Sequence, residues 1–269
     1  MTDVHRPSLG YVSRPGHRWS DRRLCRLVEE MRALTNRCIE DLPRYQALSG
    51  ERDALKRAIV ATARDRDGAL VGFCSGVLLR ADDGEQFLHM GLTCVDPTLR
   101  GTGLTRRLNA MLVRNYLLRR RPLGRVWLSC VACVKSSLGN VALHFDHVFP
   151  SPFTAPRPSP RHFAIALSID REHRRWIHIR NDSTFDASAF VFRGGARDTV
   201  FQKRRDDERY LHRHPRLNQF YDGLMDFERG DLVLQVASAS AWTGLRHAFG
   251  WSDRAVDLAT PHPLLVPGK

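Results

Sequence analysis

Arg100-Gly101-Thr102-Gly103 stands between an apolar run that ends at Val95 and a helical apolar pattern that begins at Leu104. Glycines at a strand-to-helix junction let backbone amides approach an anionic group closely, and the helix N-terminus adds a favourable dipole for that charge. The spacing reads as a pyrophosphate cradle. Downstream, the stretch from Ser136 to Phe149 carries His144 and His147, and imidazoles titrate at roughly 6.5, where proton transfer at neutral pH is accessible. The strand leading into the turn carries Glu85 at its beginning and His89 in its middle, candidates for taking a proton from an incoming nucleophile. Cys130-x-x-Cys133 invites a redox or zinc reading, but no second ligand pair at zinc-finger spacing accompanies it, and strand positions three apart face opposite ways. His212-x-His214 lacks the carboxylate or Cys context of a metal site, and no HExxH pattern occurs. No metal is expected.

Stepping outward from the turn, the preceding chain must deliver a strand and the following chain a helix. Residues 1–18 show no periodicity and suggest an extended N-terminal arm. Ser20 can cap a helix whose apolar stripe is Leu24, Leu27, Val28, Met31 and Leu34. The segment from Pro43 to Lys56 is more broken, with a turn at Ser49-Gly50 before a short helix. From Ile59 the period shortens: strands over Ile59–Ala63, Leu70–Leu79 and Phe87–Val95 are separated by hairpin turns at Asp67-Gly68 and Asp82-Asp83-Gly84. After the turn, Leu104, Leu108, Met111, Leu112 and Leu118 define a helix, with Arg119-Arg120-Arg121 at its C-terminal end, where the dipole favours cations. Arg125–Val131 reads as a buried parallel strand reached by a right-handed crossover. Beyond the Pro-rich loop from Ser151 to Pro160, strands are expected over His162–Ile169, Trp176–Ile179, Ala189–Phe192 and Leu232–Val236. Helices are expected along Leu217–Phe227 and Trp242–Phe249, and an irregular tail from Pro261.

The turn also carries a family resemblance. Val95-x-Pro97-x-x-Arg100-Gly101-x-Gly103-Leu104 resembles the acyl-CoA-binding signature of the GCN5-related N-acetyltransferases (GNAT), whose core is Arg/Gln-x-x-Gly-x-Gly/Ala; here Thr105 occupies the last small position. The resemblance implies an α/β fold, a GNAT-like mixed sheet with a splayed parallel strand pair, plus a C-terminal α+β extension. On this reading residues 1–18 are an arm, 19–195 the acyltransferase domain, and 196–269 an extension; the C-terminal 100 residues extend the sheet, cover the acceptor site or mediate dimerisation. The implied cofactor contacts are Cys94 and Val95, through their backbones, with Arg100, Gly101, Thr102, Gly103, Leu104, Thr105 and Ser137. The family often places a Tyr acid on the helix after the second strand; laying Phe149 on the family's closing Phe puts His144 at that Tyr, while another register puts His147 there. His89 is the candidate base. The activity implied is transfer of an acyl group from acetyl-CoA, or a longer acyl-CoA, to an amine by direct attack.

Composition limits the alternatives. The 269 residues suffice for one large domain or one domain with an appendage. No apolar run reaches the roughly 18 residues of a membrane helix, and the N-terminus lacks a secretory signal, so a cytoplasmic protein is expected. The net charge of +13 comes almost entirely from arginine. Such a balance favours polyanionic partners or an anionic cofactor, but the arginines are interspersed with Asp and Glu and form no single basic stripe. The enclosing bulk of the C-terminal segment favours a small-molecule amine as acceptor, whereas the charge favours an RNA or aminoacyl-tRNA amine; the small molecule is preferred, with a protein amine as a further alternative. A CoA-binding module without catalysis is the rival from another class.

Overall fold

The computed structural model describes residues 6–39, 45–153 and 157–243. The chain opens with strand β1 (Ser8–Ser13), followed by helices α1 (Asp21–Asn36) and α2 (Arg52–Arg57). Strands β2 (Ala58–Arg64), β3 (Leu70–Arg80) and β4 (Gln86–Val95) lead to the glycine turn, helix α3 (Leu104–Arg120) and strand β5 (Arg125–Ala132). Then come α4 (Lys135–His144), β6 (Asp146–Phe149), α5 (Pro160–Ser168), α6 (Arg174–Ile177), β7 (Thr184–Asp186), β8 (Val191–Arg193), α7 (Pro215–Asp222) and β9 (Leu232–Ser240). These strands form one mixed sheet in the order β1-β2-β3-β4-β5-β9-β8-β7, with β6 also paired to β9. The contact between β4 and β5 is parallel.

Strand alternation assigns the helices to the two faces. Leu24, Leu27, Met31 and Leu34 of α1 cluster with Val60, Phe73 and Cys94. On the opposite face Leu104, Leu108 and Leu112 of α3 pack on Ile59, Ala61, Cys74, Leu88 and Leu128. Burial of each such leucine contributes roughly 2 kcal/mol. The helix can lie this close because β3 presents Gly72 and Gly76: a β-carbon at Gly72 would stand 3.2 Å from Leu104 and 3.1 Å from Leu108. On α4, Val141 packs with Cys130 and Ala237.

Three features depart from the sequence reading. The arm holds β1, paired antiparallel with β2 from Ser8–Arg64 to Ser13–Ile59, so it continues the sheet. The stretches 162–169 and 176–179 belong to a helical segment, α5 to α6, joined by a π-helical turn at Ile169–His173. Period-2 and period-3.6 readings compete over a short apolar run. Here the helix wins: Pro160 occupies the first turn, Ser159 and His162 form a reciprocal capping box, and His162, Ile165, Ala166 and Ile169 are buried at helical spacing. Finally, the sheet continues across the boundary drawn between residues 195 and 196, because β9 lies between β5 and β8 and pairs with β5 from Arg125–Ser240 to Ala132–Val233. The extension thus supplies a central strand. Of the helix expected over Trp242–Phe249, residues 244–249 lie outside the described residues, as does the tail from Pro261. Among the described residues no helix is long and apolar enough to cross a membrane.

Candidate active site

The glycine turn begins at Asp96, whose carboxylate accepts hydrogen bonds from Thr98 N at 3.1 Å and Thr98 Oγ1 at 2.7 Å. Arg37, just past the end of α1, pairs with the same carboxylate at 3.0 Å. These bonds, the Thr98 hydroxyl foremost, lower the pKa of Asp96 and keep it ionised but partnered. Gly101 and Gly103 then adopt φ of 78° and 76°, the left-handed region, with no atom within 4 Å of where either β-carbon would stand. Gly103 is the N-cap of α3, and no side chain caps the helix. The first intrahelical amide bond runs from Arg107 N to Gly103 O at 3.2 Å. The amides of Leu104, Thr105 and Arg106 therefore have no partner within the helix. Leu104 is buried, so it pins this first turn, whereas Arg100, Thr105 and Arg106 are exposed around it. The Thr102 hydroxyl donates to Leu99 O at 2.7 Å and braces the loop. Open amides, a helix dipole and arginines converge where an anion would sit.

Above this turn the parallel strands separate. β4 and β5 pair only at Leu88–Leu128, His89–Ser129 and Met90–Cys130. On the other side of β4 the ladder passes from Gly76–Met90 to Cys74–Thr93, so Ser75 faces both Gly91 and Leu92 and the strand bulges. Burial follows the parting: Phe87 to Met90 are buried, whereas Gly91, Leu92, Thr93 and Val95 on β4, and Cys130, Val131 and Ala132 on β5, are half-buried. A cleft opens between the strands and leads to the turn. Cys94 is buried with its thiol 3.6 Å from Thr35 Oγ1. The Val95 carbonyl accepts the Cys38 thiol at 3.3 Å, and the neighbouring Cys94 thiol, helped by Arg100 and Arg37, lowers the Cys38 pKa.

A sheet of this strand order, with a glycine turn and crossover helix joining two parallel strands that splay after a bulge, is the arrangement implied by the acyltransferase resemblance. The fold is a mixed α/β sheet with a splayed parallel strand pair. No family model matches the sequence, and no curated protein matches it. Solved structures align with parts of the chain. The ribosomal-protein-alanine N-acetyltransferase from Brucella melitensis biovar Abortus is 19% identical, covering 43% of this chain and 74% of its own, with a TM-score of 0.32. An acetyltransferase from Trypanosoma brucei is 20% identical over 42% of this chain and 75% of its own, with a TM-score of 0.29. A GNAT family N-acetyltransferase from Escherichia coli, solved in complex with CoA, is 17% identical over 49% of this chain and 66% of its own, with a TM-score of 0.28. These are likenesses of part of the chain.

The candidate acids and bases are dispersed about the parted strands. His89 is 1% exposed, its Nδ1 2.9 Å from Ser129 Oγ across the middle one of the three paired positions of β4 and β5. Burial, with His173 nearby, lowers its pKa to about 3, which removes the basicity that a general base at neutral pH requires. His89 instead bridges the strands just before they part. Glu85 is held in ion pairs with Arg121 at 3.1 Å and Arg161 at 2.9 Å, at the opposite end of β4. His144 ends α4, half-buried, one turn beyond the Val141 that packs on Cys130. His147 lies beyond the helix, in β6, exposed and at φ 50°, so the register that placed it on the helix fails. Ser137 is exposed in the first turn of α4. The Cys130 and Cys133 thiols are pushed up to about 12 and about 11 by burial, which makes them poor nucleophiles. Among the described residues no group of His, Cys, Asp or Glu could hold a metal.

Two residues of the cleft carry no signal in the sequence. Tyr45 and Gln46 follow α1 in the broken segment, and only the tertiary fold brings Gln46 onto the bulge at Gly91.

Proposed function

We propose that this protein is an acyl-CoA-dependent N-acyltransferase, with acetyl-CoA as donor and the amine of a small molecule as acceptor, working in the cytoplasm. One observation carries the reading: β4 and β5 part after Met90–Cys130, directly above an uncapped, left-handed glycine turn. The cradle fits a pyrophosphate because Gly101 and Gly103 leave open space where side chains would stand, and it fits a CoA arm because β4 has no strand partner on its β5 side from Gly91 onward. Arg100, Gly101, Thr102, Gly103, Leu104 and Thr105 would hold the pyrophosphate, the backbone of Cys94 and Val95 the pantetheine arm, and Ser137 its border on α4.

The bound thioester supplies an electrophilic carbonyl and a thiolate leaving group. Open β4 amides can polarise that carbonyl. The neutral amine adds its lone pair to the carbonyl carbon, the C–S bond breaks with its electron pair on sulfur, and the proton lost by nitrogen balances the one gained by sulfur. His144 is the candidate donor to that sulfur. With His89 unable to serve as base, the amine enters already neutral or gives its proton to water. Positioning two reactants in one cleft is itself a large part of such catalysis.

The test mixes the pure protein with acetyl-CoA and a panel of amines and follows free thiol. Amine-dependent thiol release is expected. A protein that binds CoA tightly and releases no thiol with any amine is a CoA-binding module instead.

A further inference from the structure

Gln46 is 5% exposed and sits at φ 45°, a conformation that residues with side chains rarely adopt. Such backbone strain persists where the surroundings hold it, often at ligand sites. The Gln46 Nε2 donates to Tyr45 Oη at 2.8 Å, while Oε1 is buried with no hydrogen-bond partner. Leaving a buried acceptor unmet is costly, so its persistence asks for a ligand. The oxygen is aimed at the bulge: a β-carbon on Gly91 would stand 2.0 Å from it. Gly91 is the first β4 residue past the last pair with β5.

Beside this amide three half-buried rings meet. Tyr45 lies 5.5 Å from Phe201 and 6.1 Å from His178, and His178 lies 5.3 Å from Phe201, between ring centroids. The Phe201 carbonyl accepts the thiol of Cys133 at 2.9 Å, which fixes the ring next to the end of β5. Ala47 and Leu48 pack into the α1 cluster, on the face opposite α3. The rings thus span the two parted strands across the sheet from the helix that forms the anion cradle. Burial lowers the pKa of His178 and raises that of Tyr45, so the cluster is uncharged at neutral pH.

We propose that Gln46 receives the acceptor amine, its Oε1 accepting a hydrogen bond from the amine N–H, and that the acceptor is an arylalkylamine whose flat body lies against Tyr45, His178 and Phe201. The proposal rests on the acyltransferase reading and names its substrate class. A neutral amide oxygen orients an N–H without the full charge of a carboxylate, which would stabilise the unreactive ammonium form. Aromatic faces and edges gain most from a planar apolar partner.

The test has two readouts. The first is calorimetric binding of 2-phenylethylamine and of ethanolamine to the free protein and to its CoA complex. The second is steady-state acetyl transfer from acetyl-CoA to each amine. We expect 2-phenylethylamine to bind and its kcat/KM to exceed that of ethanolamine by about tenfold or more, since burying the ring removes apolar surface from water. Gln46→Ala should lower kcat/KM for 2-phenylethylamine about tenfold, the effect of losing one hydrogen bond, with wild-type CoA affinity. Gly91→Ala should also lower kcat/KM for 2-phenylethylamine, because its β-carbon would stand 2.0 Å from Gln46 Oε1, 2.9 Å from Gln46 Cδ and 3.0 Å from Ser75 Oγ and so displaces the Gln46 amide. Equal kcat/KM for the two amines, unchanged kcat/KM in both variants, or no binding of 2-phenylethylamine overturns the proposal. Binding of 2-phenylethylamine without acetyl transfer upholds this site and contradicts the acyltransferase reading; transfer without preference does the reverse.

Discussion

His144 and His89 show how far one residue type is governed by its surroundings. Both are imidazoles near the cleft, yet burial and His173 hold His89 neutral with a pKa of about 3, while His144 closes α4 in a half-buried position. His144→Ala should therefore lower turnover by about a hundredfold, the usual scale of a lost general acid, with CoA affinity nearly unchanged; wild-type turnover would clear His144 of that role. The residues legible in the sequence were those whose role is local. Gly101 and Gly103 adopt positive φ because the chain must reverse between a strand and a helix within a few residues, and that demand is written in their type and spacing. Gln46 shows the opposite case. Nothing about a glutamine in a broken segment signals that its amide will lie over a bulge 45 residues downstream at Gly91, because that approach is tertiary. His89 could be placed in mid-strand, but its burial depended on which helices would cover that face.

At the scale of elements, hairpin turns and hydrophobic period identified β2, β3, β4, α3 and β5, because each is punctuated by glycine or proline and has a clear period. They misassigned the segment at 162–179, where a run of apolar residues satisfied both periods until capping by Ser159 and His162 decided for helix. The β8–β9 junction was legible as strands but not in its polar anchor. Asp231 is 1% exposed and accepts hydrogen bonds from Arg229 at 2.7 Å, Arg193 at 3.0 Å and the amides of Gly194 at 2.9 Å and Asp226 at 3.0 Å. Burial alone would raise its pKa, but Arg229, the two amides and Arg193 together outweigh burial and lower it to about 2. A carboxylate whose pKa is depressed on folding contributes stability above its unfolded value, near 4, and loses it as the pH falls toward the folded value. At about 1.4 kcal/mol per pKa unit the contribution is roughly 2 kcal/mol. The stability gap between wild type and Asp231→Asn, measured by denaturant unfolding, should shrink by about that amount between pH 4 and pH 2; a gap independent of pH would contradict this account of the anchor.

At the scale of the whole molecule, the sheet is closed by a strand from late in the chain. β9 covers β5 along the full length from Arg125 to Ala132, so β5, the strand that parts from β4, is held on its other side by residues 232–240. Residues 196–269 read as an extension because the resemblance implies a core shorter than the chain; the long-range pairing that makes β9 central leaves no local mark. On one face of the sheet stand α3 and its glycine turn, and elsewhere Tyr45, His178 and Phe201, drawn from three distant segments, meet ring to ring. The net charge of +13 suits an anionic co-substrate reaching the first of these. The claim on which the rest depends is that CoA binds with its pyrophosphate on the turn at Gly101–Gly103. Calorimetric titration of CoA into the wild-type protein and into Gly103→Asp tests it most directly. One site per chain is expected for the wild type and none for the variant, whose carboxylate would stand in the anion's place; equal affinity in both, or no binding to the wild type, would contradict the claim.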